Sequence, residues 1–189
     1  MATIATSVCW GLVIVTWIAG ALYWRKSHGT RQGRPLWTTV LVVAAIIVAR
    51  LTWHDARHLT DHSLWITVPG LVLLVASTVF TVWARLRLGR MWSSSPSVLQ
   101  KNHELRTDGP YAITRHPIYT GLLGMVVGTV LVNGLGSSVG FLVIAAVFLG
   151  SRIPVEERLM RTTFPEAYSR YRERVPLLVP GMHLHRRAH

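Results

Sequence analysis

The sequence predicts an all-α integral membrane protein of five transmembrane helices, the last two forming a tight hairpin, with a cytosolic loop and an amphipathic C-terminal helix. Three observations predict it. Half of the 189 residues are hydrophobic. Stretches without a single charged side chain recur at helical length. The charge that remains, 20 Lys and Arg against 8 Asp and Glu, is gathered into a few segments between those stretches. A net charge of +12 by itself points to nucleic acid or to an anionic surface. Apolar runs of this length make the lipid bilayer the partner, and no nucleic-acid role is expected.

The charge-free stretches are Ala2–Trp24, Pro35–Ala49, Ser63–Ala84 and Pro117–Ser151. A helix crosses a bilayer core with about 20 apolar residues. The first and third stretches meet that length. Met1–Trp24 lacks a positive n-region and is too long for an h-region, so it reads as a span and not as a signal peptide. The second stretch reaches span length when Arg50 snorkels and Trp53 anchors at the interface. The last stretch would extend roughly 50 Å as one helix, against a core of about 30 Å. Its middle, Asn133-Gly134-Leu135-Gly136-Ser137-Ser138, is a turn signal, which divides it into Ile118–Val132 and Val139–Ile153. The three N-terminal spans then occupy residues 1–84. The loop, the hairpin and the tail occupy 85–189 and form one integrated domain with them.

Loop charge sets the orientation. Eighteen of the 20 Lys and Arg lie in Arg25–Arg34, Arg85–Arg115 and Arg152–Arg187. Only Arg50 and Arg57 fall on the other side, so the amino terminus is expected outside and the carboxyl terminus in the cytoplasm. The tail beyond Ile153 carries Leu159, Met160, Phe164, Tyr168, Tyr171 and Val175 at helical spacing, with Pro165 starting a second short helix. The single cysteine, Cys9, excludes an internal disulfide and reads as a small apolar filler. His54, His58 and His62 stand at metal-binding helical spacing, but in the outer loop and without a supporting cysteine; no metal site is expected. Gly124 and Gly128 form a GxxxG suited to close helix packing.

Two clusters share the inner side. The first is Arg115-His116-Pro117-Ile118-Tyr119, where a long loop enters the fourth span. Pro117 suits the first turn of a helix. Two cationic side chains at that turn oppose the helix dipole. Either an anionic ligand compensates them or they reach lipid phosphates. The second is Arg152-Ile153-Pro154-Val155-Glu156-Glu157-Arg158, at the inner end of the fifth span. Arg152 and Glu156 share a helix face, as a functional pair or as an i,i+4 salt bridge. A tight hairpin brings the two clusters together into a mixed-charge pocket at a membrane interface.

These residues carry a resemblance. Leu88-Gly89-Arg90-Met91-Trp92-Ser93, His103-Glu104-Leu105-Arg106, Gly109-Pro110-Tyr111, Arg115 to Gly121, Glu156-Glu157 and Arg174-Val175-Pro176 stand in an order and spacing similar to the isoprenylcysteine carboxyl methyltransferase family, with its phospholipid methyltransferase relatives. The resemblance covers about half the chain, Leu88 to Gly181. It implies S-adenosylmethionine as cofactor, held without a Rossmann domain by His103, Glu104, Leu105, Arg106, Tyr111, His116, Pro117, Ile118, Tyr119 and Glu156. It implies that Arg152 is catalytic and holds the acceptor carboxylate. Pro96 stands where eukaryotic members have a cofactor-contacting glutamine, with Gln100 as the available substitute, and Pro165 stands where many members have glycine.

The reaction so implied is carboxyl O-methylation of an isoprenylcysteine-like or other lipophilic acceptor at the cytosolic face. A carboxylate is ionised near neutral pH and needs no general base; it needs alignment and partial desolvation. A phospholipid amine or small-thiol acceptor is the alternative with the same cofactor site. A non-enzymatic adaptor that binds anionic lipid through the basic loops is the alternative of another class.

Overall fold

A computed structural model describes residues 2–28, 63–89, 105–134 and 138–181. Among the described residues the regular secondary structure is all helix, with no strand. Six helices follow one another: α1 Ala2–His28, α2 Leu64–Leu88, α3 Pro110–Ile113, α4 Pro117–Asn133, α5 Ser138–Thr163 and α6 Pro165–Arg174. The expected second span, about residues 35–53, lies outside the described residues. So do His54, His58 and His62.

The core of the bundle is the antiparallel pair α2 and α4. Gly70 faces Leu131 at one end and Gly121 faces Thr81 at the other. The backbones meet closely at Gly128, where a Cβ would lie 2.7 Å from the Leu74 nitrogen and 2.9 Å from the Gly70 carbonyl oxygen. Glycine is required there by proximity, so the GxxxG expectation of close packing is met. The buried hydroxyls along this seam stay satisfied within their own helix: Thr78 donates to the Leu74 carbonyl at 2.8 Å and Thr81 to the Ser77 carbonyl at 2.7 Å.

α1 lies along both partners. Cys9 and Val13 pack with Leu74 and Met125. Trp10 Nε1 donates to Thr129 at 3.2 Å, and Asn133 Nδ2 to Thr6 at 3.1 Å. At the opposite end of α1 the Arg85 guanidinium lies against Gly20 and over the Trp17 ring. α1 therefore runs antiparallel to α4 and parallel to α2. Cys9 is buried, as expected of a filler.

The sequence ends the fifth span at Ile153 and reads the tail beyond it as helical up to Pro165; α5 joins the two as one continuous helix that runs through Pro154 to Thr163. An internal proline removes one i→i−4 bond and bends a helix without having to end it. The break falls at Phe164, and Pro165 opens α6 at its first turn, as expected. α6 turns its aromatic side back on the bundle: Tyr168, Tyr171 and Val175 form a small core with Leu105, Met160 and Phe164.

Candidate active site

The site forms where the loop enters α4. Gly109, with φ 58°, adopts a conformation other residues resist and starts the single turn α3. The chain then extends through Thr114 to His116 and pairs with the tail beyond α6. The Arg115 N–H donates to the Pro176 carbonyl at 2.9 Å and the His116 N–H to the Leu177 carbonyl at 3.2 Å. The Thr120 hydroxyl donates to the Leu178 carbonyl at 2.7 Å. Pro117, fully buried, opens α4 where its missing N–H leaves nothing unsatisfied.

Arg115 and His116 thus stand at the positive end of α4, as the sequence indicates. Their compensation comes from within the chain. Glu157, on α5 and 5% exposed, accepts two bonds from Arg115 Nη1, at 2.9 and 2.7 Å. Its Oε1 also faces His116 Nε2 at 3.2 Å and accepts the Tyr168 hydroxyl at 2.5 Å. Arg161 at 3.4 Å and Arg172 at 3.7 Å complete its surroundings. Burial pushes the Glu157 carboxyl up, but the bonds from His116 and Tyr168 and the charge of Arg115 outweigh it and hold it at about 2. Burial and the same carboxylate push the Tyr168 hydroxyl well above its ordinary range, so it stays a donor.

Glu156, the adjacent residue, faces a different way, as the roughly 100° step between helix neighbours requires. Its Oε1 accepts the Tyr119 hydroxyl at 2.6 Å, and its Oε2 lies 3.5 Å from His116 Nδ1. The imidazole is therefore held between two acids and stacks on Tyr119 at a 16° interplanar angle. Burial pulls the His116 pKa down, but the hydrogen bonds and charges of Glu156 and Glu157 more than offset it and raise it. The Glu156 side chain is 25% exposed, against 7% for Glu157. Arg152, one turn back along α5, places its guanidinium 5.7 Å from the Phe148 ring centre and faces the Tyr119 hydroxyl.

Of the residues singled out from sequence, the structure gathers Arg152, Glu156, His116, Pro117 and Tyr119 at one place, with Ile118 beside them and half-buried. Tyr111 is buried nearby, and its carbonyl accepts the Tyr171 hydroxyl at 2.5 Å. Leu105 packs on the aromatic core of α6. Arg106 is half-buried, and its Nε is buried without a hydrogen-bond partner. His103, Glu104, Pro96 and Gln100 lie outside the described residues. Sequence reasoning passed over Tyr168 and Tyr171 as site residues and ranked Glu157 below Glu156. It also offered a ligand or lipid phosphates to compensate the start of α4, a role that Glu157 fills. The one available signal was the Glu156-Glu157 pair itself: two acids on one helix, with two cations adjacent in sequence at the start of another.

The arrangement holds an acid, an arginine and an imidazole set between two acids at one end of an apolar bundle. It suits a small polar ligand with both charges and a carboxylate beside it. The sequence pattern of the isoprenylcysteine carboxyl methyltransferase family matches residues 70–162. Protein-S-isoprenylcysteine O-methyltransferase B of Arabidopsis thaliana is 34% identical over 119 residues, 61% of this chain and 60% of that protein. The matched part is thus less than two thirds of the Arabidopsis protein's length. A protein of Oryza sativa subsp. indica named "Probable protein-S-isoprenylcysteine O-methyltransferase" is 30% identical over 159 residues, 78% of this chain and 81% of that protein. The solved structure of the eukaryotic intramembrane Ras methyltransferase, isoprenylcysteine carboxyl methyltransferase, shares the fold with a TM-score of 0.63, over 95% of this chain and 68% of that one, at 20% identity. On the extent of the rice match together with the family pattern, this chain belongs to the isoprenylcysteine carboxyl methyltransferase family.

Proposed function

We propose that this chain is an S-adenosylmethionine-dependent methyltransferase of a membrane, acting at its cytosolic face on the carboxylate of an isoprenylcysteine-like or other lipophilic acceptor. The observation that carries this reading is the placement of Arg152 and Glu156 one turn apart on α5, both facing Tyr119 of α4. The residues fit the cofactor. S-Adenosylmethionine presents a carboxylate, for which the buried, unpartnered Nε of Arg106 is an apt donor. Its ammonium and ribose hydroxyls suit Glu156, the more exposed of the two acids. His103, Glu104, Leu105, Tyr111, His116, Pro117, Ile118 and Tyr119 complete the set that would hold it. Bound there, it supplies a methyl group activated by the adjoining sulfonium.

The chain's own part is orientation and exclusion of water. Arg152 holds the acceptor carboxylate through a guanidinium fork. No base is required, and the state of the two candidates supports that choice of acceptor. Glu157 is saturated with donors, and His116 is held toward its protonated form by two acids. Neither is disposed to take a proton from an amine.

The membrane setting rests on α2, Leu64–Leu88, which is long and apolar enough to cross a bilayer, with Ile4–Gly20 and Pro117–Asn133 as shorter apolar helices. α1 and α2 run in the same direction, as five spans with the hairpin last require. The basic end of the bundle, with Arg85, Arg115 and Arg152, is then cytosolic, and the amino terminus lies outside.

Calorimetry with S-adenosylhomocysteine on the detergent-solubilised protein is the test, followed by transfer of a labelled methyl group to a farnesylated cysteine. Binding is expected, and Glu156→Gln is expected to weaken it by about tenfold, the scale of one charge-assisted hydrogen bond, with less effect on acceptor binding. Transfer to an amine lipid or a thiol in place of the carboxylate would move the reading to those acceptors. No affinity for S-adenosylhomocysteine, together with salt-sensitive binding to anionic vesicles, would identify a lipid-binding adaptor instead.

A further inference from the structure

Glu157 is the most buried acid at the site and receives the most donors, yet it is not the acid suited to the cofactor. We propose that Glu157 and Tyr168 are positioning residues that act on Glu156 through the His116 ring, an inference that rests on the methyltransferase reading above.

The geometry of the ring carries it. His116 Nε2 lies 3.2 Å from Glu157 Oε1, and Nδ1 lies 3.5 Å from Glu156 Oε2. A neutral imidazole has one N–H and donates to one acid only, leaving a lone pair facing the other. The imidazolium presents an N–H to each. The charge on Glu157 therefore helps to keep the ring doubly protonated, so that both acids face an N–H at once, while Tyr119 holds Glu156 Oε1. Tyr168 reaches Glu157 Oε1 from α6 and fixes the oxygen that the ring sees. Tyr171, one turn on, ties the same helix to the loop through the Tyr111 carbonyl. Seating of α6 is thus linked to the state of the cofactor acid.

The charged groups around the ring agree. Glu157 faces Arg115 from the start of α4, Arg161 from its own helix and Arg172 from α6. Arg152 and Tyr119 stand on the Glu156 side. The two acids raise the His116 pKa against the effect of burial, so the doubly donating form persists to higher pH than for an ordinary histidine.

The test uses the full-length protein in detergent. Histidine-labelled NMR, with the His116 signal assigned from His116→Gln, follows the ring directly. S-Adenosylhomocysteine calorimetry across about pH 5.5–9 follows its consequence. In the unaltered protein, affinity is expected to fall as pH rises through the raised His116 midpoint. Tyr168→Phe keeps the aromatic core and removes one hydroxyl. It is expected to move that midpoint down and to weaken binding about threefold at neutral pH, as loss of one modest hydrogen bond does. Glu157→Gln is expected to move it further and to weaken binding about fivefold, less than Glu156→Gln. Should Glu157→Gln fail to fold, Tyr168→Phe decides alone. Strong binding with an unshifted midpoint overturns this inference and leaves the methyltransferase reading standing. No binding by the unaltered protein overturns that reading, and this one with it.

Discussion

Glu157→Gln should destabilise the protein by about 2–3 kcal/mol, and two routes lead to that figure. The first starts from the carboxyl itself, held at about 2 against an ordinary value of 4.5. A shift of that size corresponds to about 3 kcal/mol of differential interaction. Solvent reaches the site on the side of Arg161, which is half exposed, and screening there lowers it to about 2 kcal/mol. The second starts from the partners left behind. Removing one member of a buried ion pair costs about 3–5 kcal/mol. Glutamine keeps the shape and one carbonyl oxygen for Arg115 or Tyr168, so the loss falls below that range. For a chain of this size 1 kcal/mol is worth about 2–4 °C, so the melting temperature should drop by about 5–10 °C.

The assay follows from Cys9, the chain's single cysteine, which is buried. A fluorogenic thiol dye reports its exposure on heating. The pH dependence carries its own sign. The Glu157 contribution is present above about pH 4.5 and is lost as pH falls through about 2, because its folded pKa is the lower one. The His116 contribution has the opposite sign: it is present below about pH 6.5 and is lost as pH rises through its raised folded value. The gap between the unaltered protein and Glu157→Gln should therefore be widest between about pH 4.5 and 6.5. A variant that melts within about 1 °C of the unaltered protein across that window would refute the view of Glu157 as a buried electrostatic hub.

Two further outcomes are expected. Arg152→Lys keeps a charge but loses the guanidinium fork, so kcat/KM with a farnesylcysteine carboxylate should fall about ten- to a hundred-fold while S-adenosylhomocysteine still binds; near-normal turnover would remove the orienting role. Ser138→Cys in a Cys9→Ser background should react with an impermeant thiol reagent added from outside, and labelling only after permeabilisation would invert the topology.

Much of this was legible in the sequence because it depends on local chemistry. Charge-free stretches locate α1, α2 and α4. Pro117 and Pro165 mark helix starts because a residue without an N–H costs nothing at a first turn. Gly124 and Gly128 announce a close helix contact. The order and spacing of Arg115-His116-Pro117 and Glu156-Glu157 place the chain in its family. Leu159, Met160 and Phe164 at helical spacing carry the helix past Pro154, which removes one backbone bond without ending it.

Tertiary structure alone decided what Glu157 faces. Glu156 and Glu157 are chemically identical and adjacent. No pattern in the chain says that Glu157 faces Arg115, 42 residues away, and Tyr168, 11 residues on. Nor does anything local pair the backbone of Arg115 and His116 with Pro176 and Leu177. Those bonds exist because α5 folds back beside the start of α4 and α6 turns its tyrosines inward. Once both carboxylates are drawn to the positive end of α4, the roughly 100° between successive helical residues points one into the buried cluster and leaves the other facing Tyr119.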